Sequence, residues 1–202
     1  IGGDSVTVTV DVGNINAGSD TTLCFGDTVQ WELIPEYAIK KVDLMSSNPA
    51  FGLNALGGSL VLSTKKGLDY KDKELYFDNT LKFGSFAYHS EIFEFGQGNN
   101  DTGIYTSLEK ASDGGWRDHS EGKIARFYTN LGHEKDNYDI NLSVLGADTD
   151  LNGNGVTPIE LLKVDRASVF TWPDNTTNKV LMITGTGNYF TENDSVLSAN
   201  FY

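Results

Sequence analysis

Valine occupies every second position from 6 to 12 in Ser5-Val6-Thr7-Val8-Thr9-Val10-Asp11-Val12. Side chains alternate across a strand, so this run predicts a half-buried β-strand with one apolar face. Residues 22–25 and 28–33 follow, parted by Gly26-Asp27, a pair suited to a hairpin turn, with Val29, Trp31 and Leu33 on one face. Further strands are predicted at 39–45, 59–63, 74–77, 81–88, 91–95, 103–107, 124–128, 138–145, 168–172, 179–184 and 196–202. These runs are short, rich in Val, Ile, Thr, Phe and Tyr, and punctuated by Gly, Asn and Asp. They predict an all-β chain, a β-sandwich or jelly roll. One segment breaks the pattern. Thr157-Pro158-Ile159-Glu160 has the spacing of a capping box with proline at the first helical position. It predicts one short helix over 158–166, with Ile159 and Leu162 on its inner side.

Length and charge narrow this picture. At 202 residues with no Pro/Ser linker, the chain reads as a single domain, 1–202, with a core of its own. The net charge is −13, from 28 acidic against 15 basic residues, and no basic footprint for nucleic acid is visible. Lys65, Lys66, Lys71 and Lys73 are interleaved with Asp69, Asp72 and Glu74, the pattern of a solvated loop. No run approaches the ~20 apolar residues of a membrane helix. With one cysteine, Cys24, no internal disulfide can form, and Leu23-Cys24-Phe25 reads as a core thiol. The chain begins at Ile1 rather than Met, which suggests an excerpt or a processed product from which a signal peptide has been removed. An extracellular or cell-surface location follows as the expectation.

The richest chemistry lies in Asp148-Thr-Asp150-Leu-Asn152-Gly-Asn154-Gly155. Calcium takes six to eight oxygen ligands, and a short loop supplies them when alternate side chains turn inward and glycines permit the bend. This segment resembles the calcium loops of the EF-hand and dockerin families over about 13 residues. The resemblance implies calcium held by Asp148, Asp150, Asn152 and Asn154, with Glu160 either a fifth ligand or the acid of the helix cap. Counting from Asp150 puts Leu161 at position twelve, and counting from Asp148 puts Ile159 there, so neither frame ends in the family's bidentate acid. The alternating run 138–145 before it makes the loop a strand-to-helix connection, and hence a static brace rather than a switch. The other reading is an Asx- and Gly-rich turn without metal.

Catalytic equipment is sparse. His89, His119 and His133 are isolated, without zinc spacing, and no Gly-x-Ser-x-Gly elbow is present. Glu91 and Glu94 offer the two carboxylates of a glycosidase, but three residues apart on a strand they point to opposite faces. Trp116 and Trp172 are candidates for stacking on sugar rings, or for packing against the rim of the sandwich. The reading that follows is a secreted structural or assembly subunit, or a surface-adhesion module, braced by calcium. Its partners would be further copies of itself or other surface proteins, and the strand at 6–12 could extend a neighbour's sheet into a filament. The alternative is a calcium-braced carbohydrate-binding module that takes glycans. A β-sandwich glycoside hydrolase comes third.

Overall fold

The computed structural model describes residues 34–45, 59–193 and 195–202. The strand at 6–12, the hairpin at 22–33 and Cys24 lie outside the described residues. Two antiparallel sheets are present, as the all-β reading expects. The small one pairs β1 (Ile39–Met45) with β2 (Ser59–Thr64). The large one contains β3 (Tyr76–Phe83), β4 (His89–Gly98), β5 (Thr102–Asp113), β6 (Gly122–Lys135), β7 (Tyr138–Asn152), β8 (Asn175–Phe190) and β9 (Val196–Phe201). These seven strands lie side by side in chain order, each antiparallel to the next. A sequential meander with a second layer over one face is the sandwich alternative, not the crossed-over jelly roll.

Alternation and register divide the large sheet into two faces. Glu94 pairs with Ser107, Ser107 with Tyr128, and Tyr128 with Leu145. All four side chains are buried on one side. Their chain neighbours, among them Phe93, Leu108, Phe127 and Val144, point to the other side. The buried side is largely polar, holding Glu94, Ser107, Glu109, Arg126, Asn130, Asn141 and Thr149. We call it the polar face and the other the apolar face.

Residues 34–38 and 64–70 cover part of the polar face. Ala38 and Tyr70 join Tyr105, Tyr128, Leu145 and Ala147 in one buried cluster, and Tyr70 stacks on Tyr105 with ring centroids 5.3 Å apart. The 3-10 turn Gly67–Tyr70 approaches unusually closely because two glycines face each other. A Cβ on Gly67 would strike the Gly103 carbonyl, and one on Gly103 would strike that of Gly67. Asn130 Oδ1 accepts from the Gly67 amide at 2.6 Å, so the buried backbone there has its partner.

Several expected boundaries change. The runs 74–77 and 81–88 join into β3, with Asp78 and Asn79 paired mid-strand rather than turning. Residues 168–172 form no strand and belong to the connection from β7 to β8. The helix shortens to α1 (Ile159–Val164), with Pro158 at its N-cap and no side-chain cap bond. The capping box does not form because the Thr157 hydroxyl instead accepts a bond from Arg117 Nη2, at 2.8 Å. Ile159, assigned to the inner side, is exposed.

Candidate functional site

The calcium-like segment is mostly strand. Asp148, Asp150 and Asn152 lie in β7, paired with β6 and β8, so the strand-to-helix connection begins only at Gly153. This corrects the expected loop, and its cause is the pairing that β8 supplies across from it. Two-residue steps along a strand are about 6.6 Å. Residues at 148, 150 and 152 therefore spread along the sheet instead of converging on one point. Asp148 pairs with Lys179 at 3.1 Å. Asp150 and Asn152 are the pair brought together: Asn175 Nδ2 donates to Oδ1 of each, at 2.6 and 2.7 Å. Asn154 turns elsewhere, its amide reaching the His119 carbonyl at 3.3 Å. Glu160 is exposed on α1. Among the described residues no three His, Cys, Asp or Glu side chains group as a metal site. Of the five named residues, only Asp150 and Asn152 share a partner, the Asn175 carboxamide.

Trp116 and Trp172 come to the same end of the sheet. Three connections meet there, β3–β4, β5–β6 and β7–β8. Arg117 ties two of them, donating through Nη2 to Thr157 Oγ1 and to the Ser168 carbonyl at 2.6 Å. The Asp118 amide bonds the Ala167 carbonyl at 2.9 Å. His119 stacks on Trp172 with centroids 4.2 Å apart, and the Arg117 guanidinium lies 5.7 Å from the Trp116 ring. Both tryptophans remain exposed.

Glu91 and Glu94 face opposite sides, as their spacing requires. Glu91 is exposed on the apolar face, where it pairs across to Lys110 in register. Glu94 is buried beneath residues 37–38 and 64–70. Its carboxylate accepts from Lys65 Nζ, from Tyr105 Oη at 2.5 Å and from Tyr76 Oη at 3.2 Å. Burial and the neighbouring carboxylate push the Tyr76 phenol up to about 12. Burial first, then the Tyr76 and Glu94 charges, raise Tyr70 to about 12, and burial with the bond to Glu94 raises Tyr105 further. Tyr76 and Tyr105 are thereby held as neutral donors to the Glu94 carboxyl group, with the Tyr70 ring stacked against Tyr105. Every Glu94 contact is internal to the packing of the two layers, so the group reads as a structural clamp.

The apolar face is the feature that the sequence reading passed over. Phe77, Leu81, Phe83, Leu108, Leu131, Ile140, Leu142, Leu181, Ile183, Leu197 and Phe201 all lie on it and are exposed. Phe77 and Phe93 meet edge to face at 5.1 Å. An open trough of about 680 Å³ lies beside its charged end, lined by Phe93, Leu108, Phe127 and Leu181 together with Glu91, Lys110 and Asp148. Toward the aromatic loops the face ends in a charged rim of three cross-strand pairs, Glu91–Lys110, Lys123–Asp150 and Asp148–Lys179. The signal was present in Ile140-Asn-Leu142-Ser-Val144, where one alternate set is apolar and the other polar. Alternation alone assigns the apolar set inward.

Comparison with protein-family models, curated proteins and solved structures finds no match to this chain. Among the described residues no helix is long and apolar enough to cross a membrane.

Proposed function

We propose that this chain is a non-catalytic assembly or adhesion module of the cell exterior, which docks its partner on the apolar face of the large sheet. The observation that carries this reading is the continuous run of exposed Phe, Leu and Ile side chains on that face. A patch beyond about 300–600 Å² is more than a soluble monomer ordinarily leaves bare, and such patches mark interaction sites. The outer strands support the same reading. β3 and β9 are the outer strands of the large sheet among the described residues, the positions at which a strand can be added. The strand at 6–12 of a neighbouring molecule is the proposed addition, and deleting residues 1–12 would then abolish polymers while leaving a soluble chain.

Binding of an apolar dye tests the docking face. The dilute chain is expected to enhance ANS fluorescence, and Leu181→Asp with Leu197→Asp to remove most of that signal while the fold persists by circular dichroism. No enhancement by the wild-type chain would sink the reading. Its calcium component rests on Asp150 and Asn152, with the Asn175 carboxamide opposite them, able to present oxygen instead of nitrogen after a half-turn. Calcium is then expected to raise the melting temperature of the wild type and not of Asp150→Ala, because a ligand stabilises only the state that binds it. A melt insensitive to both calcium and EDTA removes that component.

A second reading has its own observation. Trp116 and Trp172 stand exposed on stitched loops at one end, an arrangement that suits stacking on a sugar. A glycan array compared between wild type, Trp116→Ala and Trp172→Ala decides it, and an array with no binding eliminates it.

A further inference from the structure

We propose that the apolar face is closed by a second copy of this chain, face to face, so that two molecules share one layered sandwich. This rests on the assembly reading above and names its partner. Area is the first reason. Phe83, Leu181 and Leu197 are 79%, 70% and 67% exposed. With the other large side chains of the face, the bare apolar surface is on the order of 1,000 Å². A standard interface takes about 800 Å² from each side.

Charge is the second reason. The whole chain carries −13, so two copies repel one another over most of their surface. The rim of the apolar face is different: three carboxylates, Glu91, Asp148 and Asp150, stand against three lysines, Lys110, Lys123 and Lys179, in cross-strand pairs. A charge-balanced row at one end of an apolar field selects neither a basic nor an acidic partner. It can meet its own image under a two-fold axis, where every contact is made twice. Two twisted sheets of the same hand pack at about 10 Å with their inner side chains interdigitated. The open trough beside the charged row, walled by Phe93, Leu108 and Leu181, gives a partner's side chain somewhere to enter.

The experiment is sedimentation velocity on the full 202-residue chain across a dilution series, at constant salt. A dimer of the 22.1 kDa chain that dissociates on dilution is expected. Leu181→Asp should raise its dissociation constant on the order of a hundredfold, since both copies lose the side chain. Val156→Asp, on an exposed connection away from the face, should leave it unchanged. If Leu181→Asp fails to fold by circular dichroism, Leu197→Asp at the edge of the face takes its place. A dimer indifferent to a folded face variant uses another surface and overturns the proposal. A wild-type monomer at every concentration also overturns it, and the ANS signal then separates two cases. A monomer that enhances the dye keeps the docking face but takes another partner, which flotation with neutral phosphatidylcholine vesicles identifies as lipid or not. A monomer that leaves the dye dark has its face covered by its own chain, and both readings fall.

Discussion

Phe93 and Glu94 are adjacent in β4 and meet opposite fates. Glu94 is 2% exposed, clamped by a lysine and two tyrosines under a second layer of the same chain. Phe93 turns to the other side, where it touches Phe77 at the wall of an open trough. The same inversion runs across the sheet, through Glu109 and Arg126 on one side and Leu108 and Phe127 on the other. The two faces therefore hold their neighbours by different physics. A buried polar face tolerates only a layer that satisfies each donor and acceptor, so it fixes one geometry. An apolar face gains from any contact that excludes water, and its attraction is non-directional. The first kind of face suits the permanent contact within a chain. The second suits a contact made and broken between molecules.

The largest effect should come from breaking the buried ion pair Arg126–Glu109, whose N–O distance is 2.9 Å with both side chains almost wholly buried. Arg126→Met takes the guanidinium from a buried carboxylate and should cost about 3–5 kcal/mol in urea unfolding. Adding Glu109→Leu to that variant should recover much of the loss, because replacing both charges removes the buried charge as well as its counterion. If the double variant is no better than the single, the pair is held for another reason than charge. Next, Gly103→Ala should loosen the 3-10 turn from β5 and destabilise by about 1–3 kcal/mol, because backbone, not a movable side chain, occupies the space of the new methyl. Ala at Gly114, outside the buried layer, should cost less in the same assay.

Alkaline pH sharpens the contrast further. Tyr70 and Tyr76 ionise in the fold at about 12, against 10.0 when unfolded. The unfolded chain therefore releases these protons first, so their contribution is complete below pH 10 and is lost as pH rises toward 12. Unfolding free energy should fall through that window, and Tyr70→Phe should flatten the fall. A stability curve level from pH 10 to 12 would contradict the description of the clamp. The smallest effect belongs to the other face. Phe83→Ser should change the stability of the dilute chain by no more than about 0.5 kcal/mol, as for an exposed position, while lowering dye binding.

Much of this architecture can be read from residues alone, and the failures have identifiable causes. β1 runs from Ile39 to Met45, the bounds its composition predicts, and Glu91 and Glu94 part as their spacing demands. Asp78-Asn79 has turn chemistry but lies mid-strand, because β4 supplies its partners and Thr80 Oγ1 donates to Asp78 Oδ1 at 3.1 Å. Asp148-Thr-Asp150-Leu-Asn152 has loop composition for the same reason: Lys179 and Asn175 across the ladder give its polar side chains partners that a lone sequence does not reveal. Residues 168–172 have strand composition and no strand beside them, and Arg117 holds them as a loop. Which of the two alternating sets turns inward is the deepest omission. That depends on where the turn 67–70 lands, and it lands on the side where Gly96 and Gly103 leave room for Tyr70 and Gly67.

Hydroxyl-radical footprinting, read by mass spectrometry at single residues, tests the two-faced sheet most directly. In dilute solution Phe83, Leu181 and Leu197 should react quickly while Ile92 and Tyr105 stay protected; on concentration the first set alone should become protected. Protection of Phe83, Leu181 and Leu197 at every dilution, or rapid reaction of Ile92 and Tyr105, would contradict the assignment of the faces.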